Sequence, residues 1–140
     1  MKKYRLFLCA ALLPILASAQ IKVEIDGIYY NLIPKAKLAE VTFKGDSPYE
    51  DYEYSGSITI PATVTYNGVE CNVKSIGKDA FLDLQGSEIT SITIPESVTS
   101  IGERAFAGCK YLRTITIPKK SQLTKIKEKA FINCESLTSI

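Results

Sequence analysis

The sequence predicts a repeat solenoid, mainly β with short helical or 3₁₀ corners and a β-rich N-terminal cap. Three observations predict it. The phrases SIGKDAF, SIGERAF and KIKEKAF end at Phe81, Phe106 and Phe131, each 25 residues after the last. A second phrase, SITIP at 57–61, SITIP at 91–95 and TITIP at 114–118, runs between them. Within each phrase, β-branched residues alternate with polar ones, the period of a half-buried strand. Self-similarity at this spacing means stacked coils, each burying its apolar face against its neighbours.

The first 19 residues read as an export leader rather than as part of the fold. Lys2, Lys3 and Arg5 precede an apolar run from Leu6 to Leu16, and Ala17-Ser18-Ala19 supplies the small residues of a cleavage site before Gln20. The run is too short for a membrane span, which needs ~20 residues. Cys9 lies inside the run, which argues against a lipoprotein, and no second long apolar run follows. The expected mature chain is exported to the cell surface, the medium or the periplasm, with no transmembrane segment. The leader holds three of the 17 basic residues, leaving 14 against 15 acids and a net charge of −1. That balance offers no basic footprint for nucleic acid.

Residues 20–56 read as the cap. Ile21–Ile25 and Ile28–Ile33 are strands around Asp26-Gly27, a strong hairpin signal, and Leu38–Phe43 is a third strand. A cap is needed because an open first coil would expose core and an unpaired edge. The repeats occupy 57–140, about three with the last incomplete. A hairpin at 63–73 around Asn67-Gly68 is inserted in the first.

In the best repeat, Ile92-Thr93-Ile94 is a strand ended by Pro95. Val98 to Ile101 is a second short strand. Gly102 marks a positive φ or a close approach. Glu103 to Ala107 has helix-forming composition over about one turn, and Gly108 ends it. The expected core ladder is Ile92, Ile94, Ile101, Phe81, Phe106, Phe131, Cys109, Cys134, Leu112 and Leu137, with Ile126 also inward and Leu84 standing at the Cys position of the first coil. Cys109 and Cys134 are 25 apart. Either they are stacked buried thiols, which the apolar character of free Cys favours, or they form a disulfide across adjacent coils. Leu137 to Ile140 aligns with Leu112 to Ile115, so the chain stops in mid-strand and further repeats are expected beyond it.

These phrases resemble the BspA-type leucine-rich repeats, whose pattern is roughly I-x-I-P…V-x-x-I-G-x-x-A-F-x-x-C-x-x-L. Residues 92–112 match almost throughout, and 115–137 match with Lys127 in place of Gly. Residues 58–84 match in part. DGIYYNL at 26–32 and VTYNG at 64–68 resemble the lead-in of secreted family members from gut and oral Bacteroidota. The resemblance implies a leucine-rich-repeat-like right-handed coil and, by analogy of fold alone, adhesion.

Catalytic chemistry has little to stand on. The chain has no His, no G-x-S-x-G, no phosphate loop and no paired acids at a glycosidase spacing. The expectation is a non-enzyme without cofactor or metal. Candidate binding residues are the outward row Thr59, Ser91, Thr93, Thr114 and Thr116, and Tyr49, Tyr52 and Tyr54 of the segment DSPYEDYEY, which reads chiefly as a solvated loop but has oxygen donors for Ca²⁺. Lys119, Lys120, Lys125, Lys127 and Lys129 crowd one turn and corner, a solvated face or a contact for acidic partners. The function these features support is a secreted or surface scaffold that binds a protein or glycan. The alternatives are a structural spacer displaying another domain and a periplasmic glycan-binding accessory.

Overall fold

The computed structural model describes residues 4–7, 19–50, 54–84 and 86–139. Its strands are β1 Tyr4–Phe7, β2 Ile21–Ile25, β3 Ile28–Ile33, β4 Leu38–Thr42, β5 Gly56–Thr59, β6 Thr63–Tyr66, β7 Val69–Ile76, β8 Ile89–Thr93, β9 Ser100–Ile101, β10 Thr114–Thr116 and β11 Lys125–Ile126. They form two sheets. The larger runs β1-β2-β3-β4-β7-β9-β11 with β6 beside β7, and the smaller runs β10-β8-β5. β1 pairs antiparallel with β2. The rest of the expected export leader through Ser18 lies outside the described residues.

Both predicted hairpins form where two successive residues take positive φ. Asp26 and Gly27 lie at 50° and 85°, and Asn67 and Gly68 at 48° and 77°. Asn and Asp before Gly are the residues that tolerate this conformation best. The cap then turns parallel. β4 pairs in parallel with β7, Val41 opposite Ile76, so the last cap strand acts as the first rung of the large-sheet ladder. β7 pairs with β9 and β9 with β11, carrying Ile76, Ile101 and Ile126 in one line. The same rung bond recurs: the amides of Gly77, Gly102 and Lys127 donate to the carbonyls of Val41, Ile76 and Ile101. Lys127 thus keeps the backbone path despite replacing a glycine.

The corners are not helical, contrary to the expectation from composition. Between Gly102 and Cys109 three turns close in series, with Ala105, Ala107 and Cys109 donating to Gly102, Arg104 and Phe106. The amides in between face the next coil: Arg104, Phe106 and Gly108 donate to Glu128, Ala130 and Ile132, and Asp79, Phe81 and Asp83 donate to Glu103, Ala105 and Ala107. A helix would consume those amides internally and leave the coils unjoined. Left-handed residues at each corner, Asp79, Arg104 and Lys129 with φ of 57°, 52° and 57°, turn alternate amides outward and cannot continue a right-handed helix. The one 3₁₀ helix among the described residues is Pro34–Ala36, in the cap.

The core ladder packs as expected through its middle. Ile92, Ile94, Ile101, Phe81, Phe106, Cys109 and Leu112 are buried. Phe131, Cys134 and Leu137 are only partly buried against them, and Ile126 is 50% exposed, because no coil covers them among the described residues. Phe81, Phe106 and Phe131 stack with centroids 5.2 and 5.3 Å apart and planes within 6° and 3°. Leu84 departs from expectation: it is 58% exposed. In its place in the first coil, Asp83 turns inward and holds the following loop, accepting hydrogen bonds from the Gly86 amide and the Ser87 hydroxyl.

Gly102 is demanded by close approach and Gly68 by its φ. A Cβ on Gly102 would lie 2.6 Å from the carbonyl carbon of Gly77. Gly102→Ala should therefore force adjacent coils apart and destabilise the fold by about 1–3 kcal/mol, the cost typical of overpacking. Gly68→Ala meets no atom within 4 Å but strains a φ of +77° and should cost about 1 kcal/mol. Urea denaturation of both variants checks the ranking, and a Gly102→Ala protein as stable as the parent would refute the stacking constraint.

Candidate functional site

The small sheet offers the most regular exposed face. Its strands are short because Pro61, Pro95 and Pro118 follow them closely, and proline cannot donate to a ladder. Inward Ile58, Ile92 and Ile115 are buried and aligned across the three strands. Outward residues align equally. Thr59 is opposite Thr93, and Thr93 is opposite Thr116. Ser57 is opposite Ser91, and Ser91 opposite Thr114. The result is two rows of hydroxyls across parallel strands, with Ser57 and Ser91 hydrogen-bonded at 2.6 Å. Thr59, Thr114 and Thr116 are exposed and Ser91 and Thr93 partly so. Ser57 belongs to this surface and was missed, although it opens the same SITIP phrase that placed Ser91.

Tyr49 and Tyr54 of the tyrosine cluster differ in burial. Tyr54 is buried, not a contact residue. Its hydroxyl donates to the Thr42 carbonyl at 2.8 Å and accepts from the Tyr29 amide at 2.9 Å, and its ring lies 4.7 Å from that of Phe81. It closes the cap end of the Phe stack, and burial raises its pKa. Tyr49 is exposed, its hydroxyl 3.2 Å from an Arg104 nitrogen. Tyr52 lies outside the described residues. Among the described residues no group of three His, Cys, Asp or Glu side chains is placed to hold a metal.

A polar network that the sequence reading did not single out ties this loop to the corners. Arg104 binds the buried Asp79 carboxylate through two nitrogens, at 2.8 and 3.0 Å, while also reaching Tyr49. The signal was present, since Asp79, Arg104 and Lys129 are 25 apart and share one corner position. The lysines of the last turn and corner, Lys119, Lys120, Lys125, Lys127 and Lys129, are all exposed.

The three cysteines among the described residues are free. Cys109 and Cys134 each donate to a carbonyl of the preceding coil, Phe81 at 3.1 Å and Phe106 at 3.0 Å. Burial pushes both thiols up, and the neighbouring Cys134 adds to the shift at Cys109. Neither is an activated nucleophile, since reactivity follows the thiolate. Cys71 and Cys109 are buried and Cys134 is partly exposed. In the native protein a maleimide should therefore modify Cys134 well before Cys71 or Cys109, with the rate still rising above pH 9 because the thiol pKa is raised. Peptide mapping by mass spectrometry reads the order. Equal labelling of all three in the folded state would contradict the packing.

Comparison with known proteins agrees with this architecture. Residues 74–140 match the model of the BspA type leucine rich repeat region, in six copies. A leucine-rich repeat protein of Bacteroides ovatus superposes with a TM-score of 0.68 at 31% identity, over 84% of this chain and 28% of that one. A leucine rich cell surface protein of Faecalibacterium prausnitzii gives 0.67 at 30% identity, over 85% of this chain and 30% of that one. A leucine-rich repeat protein of Bacteroides capillosus gives 0.64 at 29%, over 83% and 78%. This chain thus spans less than a third of the first two proteins. No curated protein matches it. The family match and these superpositions lead to one assignment: residues 74–140 of this chain are BspA-type leucine-rich repeats.

Proposed function

We propose that this chain is an exported, non-catalytic scaffold that binds a protein or glycan through the outer face of its small sheet. The observation that carries the proposal is the pair of hydroxyl rows, Thr59–Thr93–Thr116 and Ser57–Ser91–Thr114, in register across three parallel strands. Adjacent strands are ~4.8 Å apart, so the rows form a regular lattice of groups that both donate and accept. The rung bonds hold that lattice before any partner arrives, which lowers the ordering cost of association. A flat, repeating surface suits an extended partner. The leader-like first 19 residues support export, and no helix among the described residues is long and apolar enough to cross a membrane. The Faecalibacterium relative is described as a cell surface protein, which supports the same location here.

Arrays of immobilised glycans and extracellular-matrix proteins test the reading. The parent protein is expected to retain selected members. The double variant Thr93→Arg/Thr116→Arg, which projects bulk and charge from an exposed face without entering the core, is expected to lose at least about tenfold in affinity, the effect of one good contact. Undiminished binding by the double variant would move the binding site off this face.

A further inference from the structure

A cavity of about 220 Å³ opens between the β2–β3 turn and the segment that follows β5. Asp26, Tyr30, Thr59 and Thr63 line it, with Ile28 and Val64 among its apolar walls. Two features set it apart from ordinary surface relief. Tyr30 is 1% exposed, and its hydroxyl has no hydrogen-bond partner among the described residues. A buried tyrosine hydroxyl ordinarily finds one. Among the described residues no cationic one lines the cavity, whereas lysines line the cavities beside β4 and at the last corner.

The strand next to the cavity is also unfinished. Among the described residues β5 is the last strand of its sheet. The amides of Gly56 and Ile60 donate to the carbonyls of Glu88 and Thr93 on the β8 side. Strand backbones alternate direction, so the amides and carbonyls of Ser57 and Thr59 point to the opposite edge. No turn or loop bond joins them to another described residue.

We propose that this cleft binds an extended peptide that pairs with the β5 edge and inserts one lysine or arginine side chain beside Asp26 and Tyr30. Strand addition supplies affinity through the main chain, and a pocket beside the edge supplies selectivity. The aliphatic stem lies along Ile28 and Val64 while the charged head meets the Asp26 carboxylate, as such side chains do at apolar rims. The head also gives the Tyr30 oxygen a donor. Thr59 joins this cleft to the hydroxyl face, but the inference does not depend on that face binding anything.

The test is titration calorimetry of the full chain with the acetylated, amidated pentapeptide Val-Thr-Lys-Thr-Val and with two analogues carrying norleucine or Glu at the centre. The Lys peptide is expected to bind at least about tenfold tighter than either analogue, as loss of a charge-assisted contact implies. Asp26→Asn should abolish that preference while keeping the hairpin, because Asn-Gly favours the same turn. Tyr30→Phe should weaken the Lys peptide without lowering thermal stability, since the hydroxyl it removes is unpartnered. The proposal is overturned by equal affinities for the three peptides, by absence of heat up to about 1 mM, or by a preference that survives Asp26→Asn. A Tyr30→Phe protein that melts earlier than the parent overturns it as well, by revealing a partner for the hydroxyl.

Discussion

Everything in this molecule depends on backbone hydrogen bonds that run from coil to coil. Each coil is bonded to its neighbours at three places: at the small sheet, where Ile60 and Ile94 donate forward to Thr93 and Thr116; at the large sheet, where Gly77 and Gly102 donate back to Val41 and Ile76; and along the corner, where Phe81 and Phe106 donate forward to Ala105 and Ala130. Buried backbone groups must be paired, and a coil this short cannot pair its own. Stacking is therefore a condition of folding for each coil, and the 25-residue spacing records it.

Side chains follow from that stacking. Residues at equal positions are superposed, so one choice of residue is repeated as a column. The Phe rings pack nearly parallel at 5.2 and 5.3 Å, an arrangement worth ~0.5–1.5 kcal/mol per pair beyond burial. The thiols of Cys109 and Cys134 sit beside this column and hydrogen-bond its carbonyls, which explains a small, weakly donating residue there without a disulfide. Glycine enters where a column leaves no room at all: a Cβ on Gly108 would lie 2.1 Å from the Asp83 carbonyl oxygen.

The cap solves the opposite problem, starting a ladder with no preceding coil. β4 supplies the first parallel rung, and Tyr54 supplies the first aromatic ring, tilted 54° against Phe81. Tyr54 can leave the stacked geometry because its hydroxyl is tied to Thr42 and Tyr29 of the cap. The Asp79–Arg104 pair and Tyr49 fasten the connecting loop to the same corner. Its partly exposed Arg side chain makes this a positional device more than a source of stability.

The sequence by itself determined the repeat, the inward ladder of Ile and Phe, both hairpin turns and the outward Ser and Thr rows. These rest on local period and on turn residues with positive φ, which are properties of short segments. Only the tertiary structure decided what the corners are, because their composition favours a helix while their amides are claimed by the next coil. Only it separated Tyr54 from Tyr49, two residues of one acidic segment, since burial depends on which ring meets Phe81 across the fold. The cleft at Asp26 and Tyr30 was equally illegible: it joins a cap turn to the edge of a repeat strand about thirty residues later. Spacing along a chain reports which residues share a position in successive coils, and contacts between a cap and its first coil have no such spacing to report.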